Sequence, residues 1–155
     1  MKTLQINEND AIKLFKTASP DLKKILVDTF GAAFFSGKIT DRIKTYEDAC
    51  TELGIVPMDE DHAKAMLSLD EINYIKVKTV TQALNEGWVP DWTNGNENKW
   101  TPYFRLSGGA FVFHVTNYDY SFATAGDGSR LCFKSDELAT YAGKQFIEIY
   151  KGFMF

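Results

Sequence analysis

Cysteine is scarce. Cys50 and Cys132 are the only two, in unrelated contexts, which excludes a disulfide framework and a C-x-x-C redox or zinc pair. A reducing cytoplasm is the compartment this implies; sequence separation leaves open whether the two thiols come within bridging distance. Long apolar runs are also lacking. The longest near a terminus, Gly31 to Phe35, falls far short of the roughly 20 residues that cross a bilayer. The opening MKTLQINEND is polar and has no basic-then-apolar order of a secretory signal. A soluble chain with no membrane partner is expected. Positive charge is in deficit: 17 Lys and Arg against 21 Asp and Glu leave −4, so no broad field draws in nucleic acid or an anionic surface. No internal repeat or low-complexity tract occurs.

What is present is aromatic and unevenly placed. The 155 residues suit one domain or two very small ones, and 45% hydrophobic with 25% charged residues is ordinary for a globular chain. Of the 12 Phe, 7 Tyr and 3 Trp, residues 1–87 hold six and residues 88–155 hold sixteen, including every tryptophan. The expected organisation is α+β. A helical region of four to five helices (1–87) precedes a small antiparallel sheet of three to four strands packed by a C-terminal helix (88–155), with Gly87 to Trp100 as the boundary.

Cap signals carry the helical reading. Asn7 with Asp10 opens a helix over about 8–17 on Ala11, Leu14, Phe15 and Ala18. Ser19-Pro20-Asp21 opens a second, because serine accepts a backbone N–H and proline at the first position loses no needed donor. Gly31 ends it, and Phe34 and Phe35 plug the core. Thr45 to Asp48 and Ser68 to Glu71 read as capping boxes, the first helix stopping at Gly54 with Cys50 inward, the second running to Gly87. Asp59, Asp61 and His62 could suggest a metal site, but carboxylates before Ala63 and Met66 read better as a solvated helix start.

Beyond Gly87, turn formers mix with large rings through Trp88, Pro90, Trp92 and Asn94-Gly95. Tyr103 to Leu106, Ser107-Gly108-Gly109 and Ala110 to Tyr118 read as a hairpin whose glycines supply positive φ. Phe111, Phe113 and Val115 share its core face, and Tyr118 to Phe122 continues the alternation. Ala125 to Gly128 turns, Arg130 to Lys134 adds a strand, and Ser135 caps a helix whose stripe runs from Leu138 through Tyr141, Ala142, Gln145, Phe146 and Ile149 to Phe153.

No catalytic constellation emerges. Cys132 sits between Leu131 and Phe133, apolar neighbours that raise a thiol pKa, and His114 has no identifiable orienting carboxylate. Gly126 to Ser129 lacks the lysine and following helix of a phosphate loop. Ser107 to His114 overlaps the RNA-recognition-motif signature only at Gly108, Ala110, Phe111 and Val112, and the order of elements does not suit that fold. Trp88, Trp92 and Trp100 have two readings: amphipathic rings closing the seam between the two halves, which is preferred, or anchors of a partner interface. Tyr103, Arg105, Tyr118, Tyr120 and Arg130 could form a platform for single-stranded nucleic acid, with core and rim as the plainer account.

Three stretches carry a resemblance. Asp41 to Cys50 with Leu53-Gly54-Ile55, Ala83 to Trp88 with Pro90-Asp91-Trp92, and Arg130 to Ser135 through Ala142 to Phe146 resemble small uncharacterised proteins encoded by bacteriophages and prophages of gut anaerobes. The resemblance implies a setting in the cytoplasm of a bacterial host and transfers no functional residue. The resulting expectation is a non-enzymatic phage or mobile-element accessory protein that binds another macromolecule, with no catalytic residue, metal or cofactor. A protein partner is favoured, and single-stranded nucleic acid is the alternative. Its candidate binding residues are Trp88, Trp92, Trp100, Tyr103, Arg105, Tyr118, Tyr120 and Arg130.

Overall fold

A computed structural model describes residues 6, 8–31, 34–35, 37–122 and 130–155. The expected cap at Asn7 and the turn Ala125 to Gly128, with the glycine-rich Gly126 to Ser129, lie outside the described residues. The chain divides into two compact units, Met1–Arg42 and Ile43–Phe155, so the expected boundary at Gly87 to Trp100 falls inside the second. The class is α+β, and among the described residues no helix is long and apolar enough to cross a membrane.

In the first unit, α1 (Glu8–Thr17) and α2 (Pro20–Phe30) lie where the caps predict. The Ser19 hydroxyl accepts from the Leu22 N–H, and the Gly31 N–H closes α2 on the Val27 carbonyl. Phenylalanines hold the unit: Phe15 stacks on Phe35 at 4.2 Å, Phe30 stacks on Phe34 at 5.1 Å, and Phe34 meets Phe35 edge-on. A single-turn helix, α3 (Ile39–Arg42), was not expected, since one turn carries no periodic signal.

In the second unit, α4 (Tyr46–Leu53) has its capping box, with Asp48 Oδ2 accepting from the Lys44 and Thr45 N–H groups, and Gly54 takes the left-handed conformation at its end. Cys50 is buried there as core. Asp59 caps the short α5 (Glu60–Ala63) by accepting from the Asp61 and His62 N–H groups. Its carboxylate is thus engaged with the backbone, and Glu60 accepts from Lys76, which holds the Glu60 carboxyl below its usual range. Helix α6 (Leu69–Leu84) buries Ile72, Val77, Val80 and Leu84. It stops short of Gly87: Asn85 closes the helix, and Glu86 already has a φ of +50°. Six helices therefore precede the sheet among the described residues, not four to five.

The sheet is smaller than expected, with two strands among the described residues: β1 (Lys99–Ser107) and β2 (Ala110–Asp119), antiparallel. Gly108 and Gly109, at φ +59° and +82°, make the tight turn. Phe104 pairs with Phe113 but Tyr103 with Val115, which leaves His114 as an extra residue in β2. That bulge separates faces: Val115 falls opposite to Phe113 instead of continuing the core face. The alternation expected through Phe122 ends at Asp119.

Leu131 to Lys134 does not form the expected extra strand. One bridge joins Phe133 to Trp100, through N–H···O contacts of 2.7 and 3.0 Å. Beside it, the buried Asn85 amide takes the place of a neighbouring strand: its Nδ2 donates to the Cys132 carbonyl at 2.9 Å and its Oδ1 accepts from the Lys134 N–H at 3.0 Å. A side chain satisfying both backbone groups leaves no ladder to extend.

The single closing helix is two, α7 (Asp136–Gln145) and α8 (Ile147–Met154), broken at the buried Phe146. The break lets one apolar stripe serve two surfaces. Helix α7 lies on the hairpin, with Gly143 so close that a Cβ there would sit 2.6 Å from the Phe113 ring and 2.8 Å from Pro102. Helix α8 lies along α6, where Tyr74 meets Phe153 at 5.4 Å.

Candidate functional site

The segment between α6 and β1 is organised from inside by one carboxylate. Glu97 accepts from the Trp88 indole N–H at 3.3 Å and from the Asp91 backbone N–H at 2.8 Å, and it pairs with Lys99 at 3.3 Å. The Asp91 N–H first, with Lys99 and Trp88 adding to it, holds the Glu97 carboxyl below its usual range. The Lys99 side chain is fully buried, donates to the Asn94 carbonyl at 2.9 Å, and places its ammonium 5.6 Å from the Trp92 ring centre. Asp91 and Asn94 accept from the backbone two residues onward, at Thr93 and Asn96, the local bonds that make these residue types turn formers. Trp88 and Trp92 are therefore fixed as walls.

These walls face α6 across a cleft of about 420 Å³, within the roughly 300–1,000 Å³ of small-ligand sites. Helix α6 and its cap contribute Lys78, Thr81, Gln82 and Asn85, an i, i+3, i+4, i+7 stripe. The loop contributes Trp88, Val89, Pro90 and Trp92, and the segment tied down by Asn85 contributes Arg130 and Cys132. Two of these residues each hold a polar atom, Thr81 Oγ1 and Trp92 Nε1, that is closed to solvent and has no hydrogen-bond partner among the described residues. Thr79, on the same helix, bonds back to the Ile75 carbonyl at 2.9 Å, the usual arrangement for a helical threonine. A buried polar group left unpaired costs about 1–3 kcal/mol.

The lining carries two cations, Lys78 and Arg130, and no carboxylate, within a chain of net charge −4. Burial pushes the Cys132 thiol up to about 11, so it stays protonated and is a wall, not a nucleophile. What this lining presents is apolar rings and positive charge.

The structure divides the sequence-predicted residues into three groups. Trp88, Trp92 and Arg130 meet at the cleft. Trp100, Tyr118 and Tyr120 form a chain of rings with centres 4.7 and 5.2 Å apart. Tyr103 and Arg105 alternate out of phase with Trp100 along β1, facing the other side of the hairpin. The residues that sequence reasoning missed, Lys78, Thr81 and Gln82, lie inside a helix read only for its apolar stripe. A threonine at a core-facing position, within a polar i, i+3, i+4, i+7 row, was the signal.

A second, smaller cavity of about 260 Å³ lies between the hairpin and α8, lined by Thr101, Pro102, Phe104, Leu131, Tyr150, Phe153 and Met154. Among the described residues no group of three or more His, Cys, Asp or Glu is placed to hold a metal ion. Comparison of the chain with protein-family models, with curated proteins and with solved structures gave no match.

Proposed function

We propose that this chain is a non-enzymatic phage or mobile-element accessory protein, acting in the host cytoplasm as a macromolecular binding module that receives a segment of a protein partner in the tryptophan cleft. One observation supports the reading above the others: a cleft of about 420 Å³ is lined by Trp88, Trp92 and Pro90 together with two cations, Lys78 and Arg130, and no carboxylate. Two stretches of the phage resemblance, Ala83 to Trp88 with Pro90-Asp91-Trp92, and Arg130 to Ser135, contribute Asn85, Trp88, Pro90, Trp92, Arg130 and Cys132 to that cleft. Val89, 79% exposed, stands in its lining as a contact point for an incoming chain.

Site-directed photo-crosslinking tests the proposal. A benzophenone amino acid at Val89 should yield one discrete crosslinked protein in a bacterial lysate, and Trp92→Ala should weaken the purified complex by about 2 kcal/mol, the scale of an aromatic anchor. No product from Val89, or affinity unmoved by Trp92→Ala, overturns it. Single-stranded nucleic-acid binding is the second reading and rests on the Trp100, Tyr118 and Tyr120 rings, although Tyr103 and Arg105 face away from them. It expects tyrosine and tryptophan quenching by oligo-dT that weakens steeply with salt, and flat titrations at low salt remove it.

A further inference from the structure

We propose that Asn94-Gly95 is a site of spontaneous backbone modification, at which the Asn94 amide is lost through a succinimide and the product loosens the hold of Lys99 on the loop that carries Trp88 and Trp92. The site does not depend on what the cleft binds, and water is its only co-reactant.

Asn94 is the one asparagine in the chain followed by glycine, the neighbour whose missing side chain leaves its nitrogen open to attack. Both residues are exposed, so water reaches them. The Asn94 carbonyl belongs to the same peptide unit as the Gly95 N–H, and it accepts from the Lys99 ammonium at 2.9 Å and from the Glu97 N–H at 3.3 Å. Both bonds draw electron density toward that oxygen and so favour loss of the Gly95 proton, which leaves the nitrogen as the nucleophile. Among the described residues no hydrogen bond engages the Gly95 N–H itself. On the side chain, Asn94 Oδ1 accepts from the Asn96 N–H at 3.0 Å, and the ring that this bond closes contains both the Gly95 nitrogen and Asn94 Cγ. The same N–H stabilises the negative charge that develops on Oδ1 as Cγ becomes tetrahedral.

Solvent base takes the Gly95 proton, the nitrogen bonds to Asn94 Cγ, and the amide nitrogen leaves with a solvent proton as ammonia. Water then opens the ring. Breaking the bond from nitrogen to Cγ gives aspartate; breaking the bond from nitrogen to the Asn94 backbone carbonyl carbon gives isoaspartate, with the chain rerouted through Cγ. Either product adds one negative charge to the residue whose backbone oxygen binds the buried Lys99 ammonium, and in isoaspartate that oxygen becomes part of the new carboxylate. Lys99 then has a second anion competing with Glu97, the carboxylate that gathers Trp88 and Asp91.

The test incubates the full chain at mildly alkaline pH and follows it by isoelectric focusing and peptide mass mapping. A more acidic form should accumulate with the change at Asn94, while Asn96 and Asn98 of the same loop stay intact. The folded chain should convert faster than the same chain in urea, because the Lys99 and Asn96 bonds exist only in the fold. Gly95 has no positive φ, and a Cβ there would meet only Ser121 Oγ at 3.6 Å, an ordinary contact. Gly95→Ala should therefore fold with an unchanged denaturant midpoint and lose the conversion. Tryptophan emission should shift in step with the acidic form and stay fixed in Gly95→Ala. An intact Asn94, or conversion slower in the fold than in urea, overturns the site. Conversion with emission unmoved overturns the effect on Lys99 and its loop.

Discussion

The cleft beside α6 and the cavity under α8 lie in the same unit, at about 420 and 260 Å³, and both are bordered by aromatic rings. Their linings differ in kind. The smaller cavity has no charged side chain, and Phe104, at its edge, is stacked with Phe111 at 4.8 Å and tilted against Tyr150 at 4.9 Å. It is a gap left where a twisted hairpin meets a kinked helix pair. The cleft has two cations, Lys78 and Arg130, and a loop whose Glu97 gathers Trp88, Asp91 and Lys99. Charge therefore separates the two places more sharply than volume does. The rings of the smaller cavity pack on one another, whereas Trp88 is tied to Glu97 and Trp92 lies under the Lys99 ammonium.

The sharpest way to break this contrast is to show that both places behave alike. Phe104→Ala should destabilise the protein by about 3 kcal/mol, the low end for Phe→Ala because the ring is half-buried, and leave cleft affinity unchanged. Denaturant midpoints and a titration of the same variant would check this, and lost binding at intact fold would erase the distinction. Thr81→Val should shift stability the other way: it rises by about 1 kcal/mol, or roughly 2–4 °C in Tm, as a buried unbonded hydroxyl is removed. A destabilised Thr81→Val would show that the hydroxyl is satisfied after all.

The smallest effect concerns pH. The Glu97 carboxyl is held below its usual range in the folded chain, so its contribution is present above the unfolded glutamate value of about 4.3 and is lost as pH falls through the lower folded value. Tryptophan emission should change over that acid window as the loop lets go of Trp88, and the step should be missing in Glu97→Gln. An identical acid profile in the two proteins would show that the walls do not depend on this carboxylate.

Local chemistry was legible in the sequence and long-range substitution was not. Ser19, Thr45, Ser68 and Ser135 stand at the helix starts their residue types predict, and Gly108-Gly109 turns the hairpin, because caps and turns are decided within four residues. The supposed strand at Arg130 to Lys134 shows the opposite. Its backbone groups are met from Asn85, more than forty residues earlier, by a side chain that no alternation pattern reveals. The bulge at His114 shifted Val115 to the other face for the same reason: register is a property of the pair of strands, not of either one. At the site, Trp88, Trp92 and Arg130 stood out by residue type, whereas Thr81 became informative only once its hydroxyl proved to have no partner.

The Glu97 contacts have a consequence for how the cleft would meet an occupant. Because Trp88, Asp91 and Lys99 are gathered by that carboxylate within the chain itself, the conformational entropy of the loop is lost during folding and not at the moment of association. An occupant would enter a space already shaped, and its arrival would be governed by encounter and desolvation, with little closing motion to wait for.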